Sequence, residues 1–235
     1  AMVDEGYTPI LRINHGYSGT GTIPLDGDYA GFCASAAAMA LELDGLVDHF
    51  IIGNEMNAIW EGDGVTGIAV SDYADCFAQC ADAIHAVRPD AQVLVGAVGC
   101  WNNQTAATGP YVYDFDNDWY ELIQRTRTGA DGVSVHTYGG RDGDPDPRDD
   151  GYWGFEYLQT QIEIIDAAGG GDLPIYVTEF NTAADGWYVE DGEAQMEDGY
   201  PDGWMQKAFE YVDTLNGTLG GCRIRAACWF VHDLV

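Results

Sequence analysis

The sequence predicts an α/β fold in which a parallel sheet is covered by helices, and three observations carry that prediction. Short apolar, β-branched runs alternate with helix-forming stretches along the whole of the 235 residues, as in repeated strand–helix units. The strands are nearly continuous in apolar residues, as expected of strands buried on both faces. Hydrophobic residues make up 46% and aromatics 12%, enough for a packed core and unlike the composition of a disordered chain.

The elements follow in order. TPILRIN reads as a strand ending near His15, and DYAGFCASAAAMALELDGL as a helix for which Asp28 is a suitable N-cap. VDHFIIGNE is the second strand, and SDYADCFAQCADAIHAVRP a helix capped by Ser71 and stopped at Pro89. AQVLVGAVG is a strand and DNDWYELIQRTRTG a helix ending at Gly129. DGVSVHTY then reads as a strand, GFEYLQTQIEIIDAAGGG as a helix with a glycine stop, and LPIYVTEFN as a strand. DGWMQKAFEYVDTLNG is the last helix and CRIRAACWFVH the last strand. That gives six strands and five helices in a single domain over 1–235, with no linker; the loop GGRDGDPDPRDDG at 139–151 looks like an insertion.

Charge excludes several classes of partner. Asp and Glu total 39 against 9 Lys and Arg, for a formal charge of −30. Nucleic-acid binding rests on basic groups that neutralise phosphates, so it is not expected here. Repulsion also disfavours anionic membrane surfaces and polyanionic substrates, and no apolar run approaches the ~20 residues that span a bilayer. The surplus reads as solubility or salt adaptation. No basic-then-apolar leader is visible at the start, which leaves the compartment open; secretion is favoured if the natural N-terminus lies upstream. The six cysteines (Cys33, Cys76, Cys80, Cys100, Cys222 and Cys228) are too few for a disulfide scaffold, and Cys76 and Cys80 share a helical face poorly placed for a mutual bond. Buried free thiols are the expected state.

Two segments place a glutamate at the C-terminal end of an apolar strand beside asparagine. These are IIGNEMN, with Asn54, Glu55 and Asn57, and YVTEFN, with Glu179 and Asn181. In parallel α/β proteins, strand C-termini and the loops after them build the sites. One such segment often does no more than cap the next helix. Two, 124 residues apart, or about 41 per strand–helix unit, with the strand through His136 falling on the same rhythm, point to a working pair. The chemistry that needs two carboxyls is glycoside hydrolysis: one protonates the leaving oxygen while the other attacks the anomeric carbon. The carboxyls lie ~5–5.5 Å apart in retaining enzymes and ~6.5–9.5 Å apart in inverting ones.

GNEMN and VTEFN resemble the acid/base and nucleophile motifs of clan A retaining glycoside hydrolases, which are (β/α)8 barrels with catalytic glutamates ending the fourth and seventh strands. The resemblance implies a TIM-barrel type of fold, incomplete here, because one strand–helix unit precedes GNEMN where the clan has three. It implies Glu55 as acid/base, Glu179 as nucleophile, and Asn54 as the partner of the hydroxyl next to the anomeric carbon. His136 and Tyr138 in HTY would orient the nucleophile, and Trp229 in CWFVH would floor the sugar subsite. The clan's arginine beside the nucleophile has a counterpart in Arg12, which otherwise reads as a structural ion pair. LRINHGY is loosely similar to the β-xylosidase and exopolysaccharide-hydrolase branch. No cofactor or metal is implied. Glu179 is expected to be ionised, with its negative charge keeping Glu55 protonated.

Further candidates have bland counterparts. Trp101 with Asn102 and Asn103 would make a subsite on which a sugar face stacks, and Trp60, Trp153, Trp187 and Trp204 serve either as such platforms or as core. His15, His136 and His232 end strands, as metal ligands do in amidohydrolase barrels, but His-x-His is missing. Asp114, Asp116 and Asp118 have the alternate spacing of a calcium loop without its glycine, since Trp119 takes that place; helix capping is the expected role. The acidic loop 142–150 reads as solvated. The sequence thus predicts a β-glycosidase acting on a neutral poly- or oligosaccharide. The competing readings are an idle or truncated barrel that binds carbohydrate, and a metal-dependent hydrolase. Six strands leave two sheet edges, which invite a homodimer.

Overall fold

The computed structural model describes residues 5–17, 19–99, 109–139, 154–182, 188–190, 193–195 and 203–230. The fold is α/β and of the incomplete (β/α)-barrel type. Among the described residues, a sheet of six parallel strands has the order β1-β2-β3-β4-β5-β8 and is accompanied by five α-helices. The strands are β1 (Ile10–Ile13), β2 (His49–Ile52), β3 (Gln92–Val95), β4 (Gly132–Gly139), β5 (Ile175–Thr182) and β8 (Ile224–Trp229). The helices are α1 (Ala30–Glu42), α2 (Val70–Val87), α3 (Asp114–Thr126), α4 (Tyr157–Ile165) and α5 (Trp204–Thr218). A two-stranded antiparallel hairpin, β6 (Tyr188–Glu190) with β7 (Glu193–Gln195), was not expected from the sequence.

The chain groups into two compact units. The first is Ala1–Ser134 with Ile164–Pro174. Here Ile13, Ile52 and Val95 lie side by side in register, so the strands end level. Phe50, Ile52, Val93, Leu94 and Val95 are fully buried. On α1 the buried residues Cys33, Ala36, Ala37 and Ala40 form a stripe of small side chains at helical spacing, and such a stripe lets α2 approach closely. Arg88 ends α2 and is itself buried. It donates to Ala40 O (3.1 Å) and reaches Asp44 (3.2 Å), Asp48 (2.8 Å) and Asp90 (3.3 Å). Tyr73 on α2 donates to Ile52 O and accepts from Gly96 N at 2.7 Å, so one phenol ties the ends of β2 and β3. Burial raises its pKa, which keeps it a donor.

The second unit is Val135–Glu163 with Ile175–Val235. Its core is aromatic: Phe155, Phe180, Trp204 and Trp229 meet edge-on or stacked, with ring centroids 5.3–6.3 Å apart, the separations such rings prefer.

Three local expectations are corrected. The N-cap of α1 is Tyr29 rather than Asp28, and that of α2 is Ala69, which places Ser71 inside the helix. Cys33 on α1 is disulfide-bonded to Cys80 on α2, so these two are not free thiols, while Cys76 remains a free buried one. The spacing argument against a Cys76–Cys80 bond stands; the partner comes from a separate helix, which no local spacing reveals. The glycine stop after α4 takes the form of a π-turn over Asp166–Gly170, with Gly169 at φ +94°.

Candidate active site

In the first unit the chain leaves β2 through Gly53 at φ +68°, and Glu55 follows at φ +31°, the one non-glycine residue with positive φ among those described. A side chain held there costs about 1–3 kcal/mol and persists only where its surroundings fix it. They do so here. Asn57 pairs with Gly99 like a strand partner, its Nδ2 donating to Gly99 O (2.7 Å) and its Oδ1 accepting from Gly99 N (2.7 Å). Met56 is fully buried, and its carbonyl accepts from Ile68 N at 2.6 Å. Glu55 is 6% exposed. A β-carbon added to Gly99 would lie 3.1 Å from Glu55 Cβ and 3.2 Å from its Cδ, so the space beside the carboxylate exists because residue 99 is glycine.

Asn54 is held at both ends of its amide. Arg12 Nη1 donates to Asn54 Oδ1 at 2.6 Å, and Asn54 Nδ2 donates to Glu61 Oε1 at 2.8 Å. Glu61 is 4% exposed. Its pKa is raised, first by burial and further by the Glu55 carboxylate, against the opposing effects of the Asn54 hydrogen bond and the Arg12 charge. Sequence reasoning missed Glu61. It is one of 39 acidic residues and sits in a turn between Trp60 and Gly62, and no motif singles it out.

In the second unit, Glu179 lies in the C-terminal half of β5, three residues before its end, and is 9% exposed. Tyr138, at the end of β4, donates its hydroxyl to Glu179 Oε2 at 2.6 Å. His136 Nδ1 lies 3.6 Å from the same oxygen. His136 is itself 1% exposed, and Gln161 on α4 donates to its carbonyl at 3.1 Å. The strand alternation that buries Phe180 among aromatic rings turns its neighbour Glu179 towards these polar groups. Asn181 donates to Phe230 O at 2.8 Å, while its buried Oδ1 has no hydrogen-bond partner among the described residues. Trp229 is paired in register with Phe180 and packs on that ring and on Trp204; the ring meeting Tyr138 edge-on, at 6.5 Å, is Phe230.

Arg12 with Asn54, and His136 and Tyr138 with Glu179, are thus brought together as small polar clusters. Trp101, Asn102, Asn103, Trp153, Trp187, His232 and the loop 140–151 lie outside the described residues. Trp60 is exposed and Trp204 is core. Asp114 and Asp116 fall in the first turn of α3, with Tyr113 at its N-cap, and Asp116 and Asp118 are buried. His15 lies in a separate cleft of about 470 Å³ with Thr20, Leu25, Asp26, Asp28 and Phe32. No helix among the described residues is long and apolar enough to cross a membrane.

No protein-family model matches the chain, and neither does any curated protein. Solved structures do. A glucosidase from Croceicoccus marinus aligns over 97% of this chain and 43% of its own, with 17% identity and a TM-score of 0.64. A family 51 α-L-arabinofuranosidase from Bifidobacterium longum covers 97% of this chain and 48% of its own, with 15% identity and a TM-score of 0.61. A β-glucosidase from Exiguobacterium marinum covers 97% and 67%, with 16% identity and a TM-score of 0.54. This chain spans less than half the length of the first two. At such identities the likeness is one of fold: the chain has the architecture of these glycosidase structures.

Proposed function

We propose that the protein is a retaining glycoside hydrolase acting on a β-linked neutral poly- or oligosaccharide, with 1–235 forming one barrel domain. The observation that carries this reading is the pair of buried glutamates, Glu55 on a strained backbone just past the end of β2 and Glu179 in the C-terminal half of β5, held by a phenol. The glycosidase structures that share the fold support it.

Tyr138 and His136 both address Oε2 of Glu179 and so orient its carboxylate. A carboxylate oxygen of Glu179 forms a bond to the anomeric carbon as the glycosidic C–O bond breaks, and Glu55 delivers its proton to the departing oxygen. Glu55, now a carboxylate, takes a proton from water; that water displaces Glu179 and releases the sugar with net retention. Asn54, with one amide hydrogen committed to Glu61, has a second for the hydroxyl next to the anomeric carbon. Arg12 neutralises part of the local negative charge. Asn181 and Trp229, with Trp101 and Asn102, are the further substrate-binding candidates. No cofactor enters these steps.

The test is to assay aryl and oligosaccharide substrates with Glu179→Ala and Glu55→Ala separately. The panel includes β-glucosides and α-L-arabinofuranosides, since neighbours of both kinds share the fold. Glu179→Ala is expected to lose activity and to regain turnover with azide, giving a glycosyl azide of inverted configuration. Glu55→Ala is expected to fail on poor leaving groups and to keep part of its rate on activated aryl ones. Full activity in either variant overturns the assignment.

A further inference from the structure

Glu61 is a buried carboxylate, whereas most other acidic side chains among the described residues are exposed, and no step above uses it. Its place is set by the backbone: Glu61 N donates to Ala58 O at 3.0 Å, and Glu61 O accepts from Thr22 N at 2.7 Å. Thr22 in turn is tied to the end of β1, because its carbonyl accepts from His15 N at 2.8 Å. The side chain therefore projects from a turn clamped on both sides. Its Oε1 takes one hydrogen of the Asn54 amide, while Arg12 donates to the amide oxygen. A terminal amide can rotate by half a turn and exchange its donor and acceptor ends. With Arg12 able only to donate and an ionised Glu61 able only to accept, just one orientation satisfies both.

We propose that Glu61 is a positioning residue that locks the Asn54 amide with its NH₂ directed for substrate, so that the enzyme's use of the sugar hydroxyl next to the anomeric carbon depends on a carboxylate that never touches the sugar. This inference rests on the glycosidase reading for its kinetic consequence, though not for its geometry. Burial raises the pKa of Glu61, while the Asn54 hydrogen bond and the Arg12 charge oppose that shift and favour the ionised, accepting form.

The test compares Glu61→Gln, Glu61→Met and Glu61→Asp. Gln retains a carbonyl oxygen at the position of Oε1, Met is near in shape and cannot accept strongly, and Asp keeps the charge but withdraws the oxygen by one methylene. The first readout is the ratio of kcat/KM for paired substrates with and without the hydroxyl adjacent to the anomeric carbon. Glu61→Met and Glu61→Asp are expected to lower that ratio about 10-fold or more, towards that of Asn54→Ala, the range for a hydrogen bond lost in the transition state, while Glu61→Gln restores it. The second readout needs no activity: side-chain amide hydrogen exchange of Asn54, its NMR signals assigned by their disappearance in Asn54→Asp. Protection is expected in the parent and in Glu61→Gln, and its loss in Glu61→Met. Where Glu61→Met does not fold, Glu61→Asp carries both readouts.

Unchanged preference and unchanged protection in folded Glu61→Met or Glu61→Asp overturn the inference. So does a Glu61→Gln as impaired as Met, because charge rather than the hydrogen bond would then be at work. An inactive parent defeats the glycosidase reading alone, and the exchange measurement still decides the positioning role.

Discussion

At the scale of single residues, the site is built from groups that gain their meaning from one contact each. Tyr138 donates to Glu179 at 2.6 Å. A hydrogen bond to a charged group is worth about 1.5–3 kcal/mol, so Tyr138→Phe should lower kcat/KM about 10- to 100-fold, more than it lowers stability. A loss shared equally between stability and rate would instead mark the phenol as a packing group. Gly99 is a second such point. In Gly99→Ala the new methyl would stand 3.1 Å from both Glu55 Cβ and Asn57 Oδ1, a crowding that pushes Glu55, the proposed acid/base, aside. Activity on poor leaving groups should fall more than on activated ones. Glu61 gives a pH test with a definite sign. Its folded-state pKa lies above the unfolded value, so ionised Glu61 weakens folding: stability is fullest below the unfolded pKa and declines as pH rises through the folded one. Urea unfolding from pH 4 to 8 should therefore show Glu61→Gln gaining on the parent as pH rises. The two catalytic candidates were legible because a glutamate beside asparagine at a strand end is a local pattern. Glu61 was not, because what distinguishes it is burial, which depends on Thr22 and Ala58 folding over it.

At the scale of elements, the sequence supplied nearly the whole sheet. The six strand segments and five helices appear where the apolar runs and helical spacings place them, because strands such as HFII and QVLV, buried over their last three residues, leave no ambiguity about their two faces. The ends were less legible. Asp28 and Ser71 have the right chemistry for caps, yet the helices begin at Ala30 and Val70 with no side-chain cap, so packing rather than capping sets those termini. The Cys33–Cys80 bond is the clearest case of information held between elements: it joins α1 to α2 across 47 residues. Closing a loop of that length in the unfolded chain is worth about 4 kcal/mol in the chain-entropy account. Cys80→Ser should lower unfolding stability by up to about that amount, and a change well under ~1 kcal/mol would show that the bond adds little to the packing of the helices. Cys76 lies in the same buried interface, its sulfur within 4.8 Å of the other two, and burial pushes its thiol up to about 12. It should resist iodoacetamide in the native protein while exposed Cys222 reacts, as peptide mapping would show. In the second unit, Trp204 fills the space between Phe155, Phe180 and Trp229. Removing a fully buried aromatic of this kind costs about 3–5 kcal/mol.

At the scale of the whole molecule, a formal charge of −30 acts on every folded copy at once. Carboxylates spread over a surface this size repel one another through water, and the repulsion is greater in the compact state than in the extended chain. Salt shortens its reach, from about 10 Å at 0.1 M to about 3 Å at 1 M. The melting temperature should therefore rise with sodium chloride over that range, by about 2–4 °C for each kcal/mol of repulsion removed. Replacing sodium by potassium should change little. The same charge governs self-association. In the strand order β1 and β8 come last on either side, each with one strand neighbour among the described residues, and unpaired strand edges are where a second copy adds most readily. Two copies that each carry −30 oppose that pairing at low ionic strength and do so far less when screened. Sedimentation at 0.1 M and 1 M salt should then show dimer of the 25.5 kDa chain increasing with salt, the reverse of an association held by ion pairs. If the protein stays monomeric at both, β1 and β8 are not used for pairing, and the negative surface alone does not explain it, because at 1 M its reach is shorter than the ~4.8 Å between neighbouring strands.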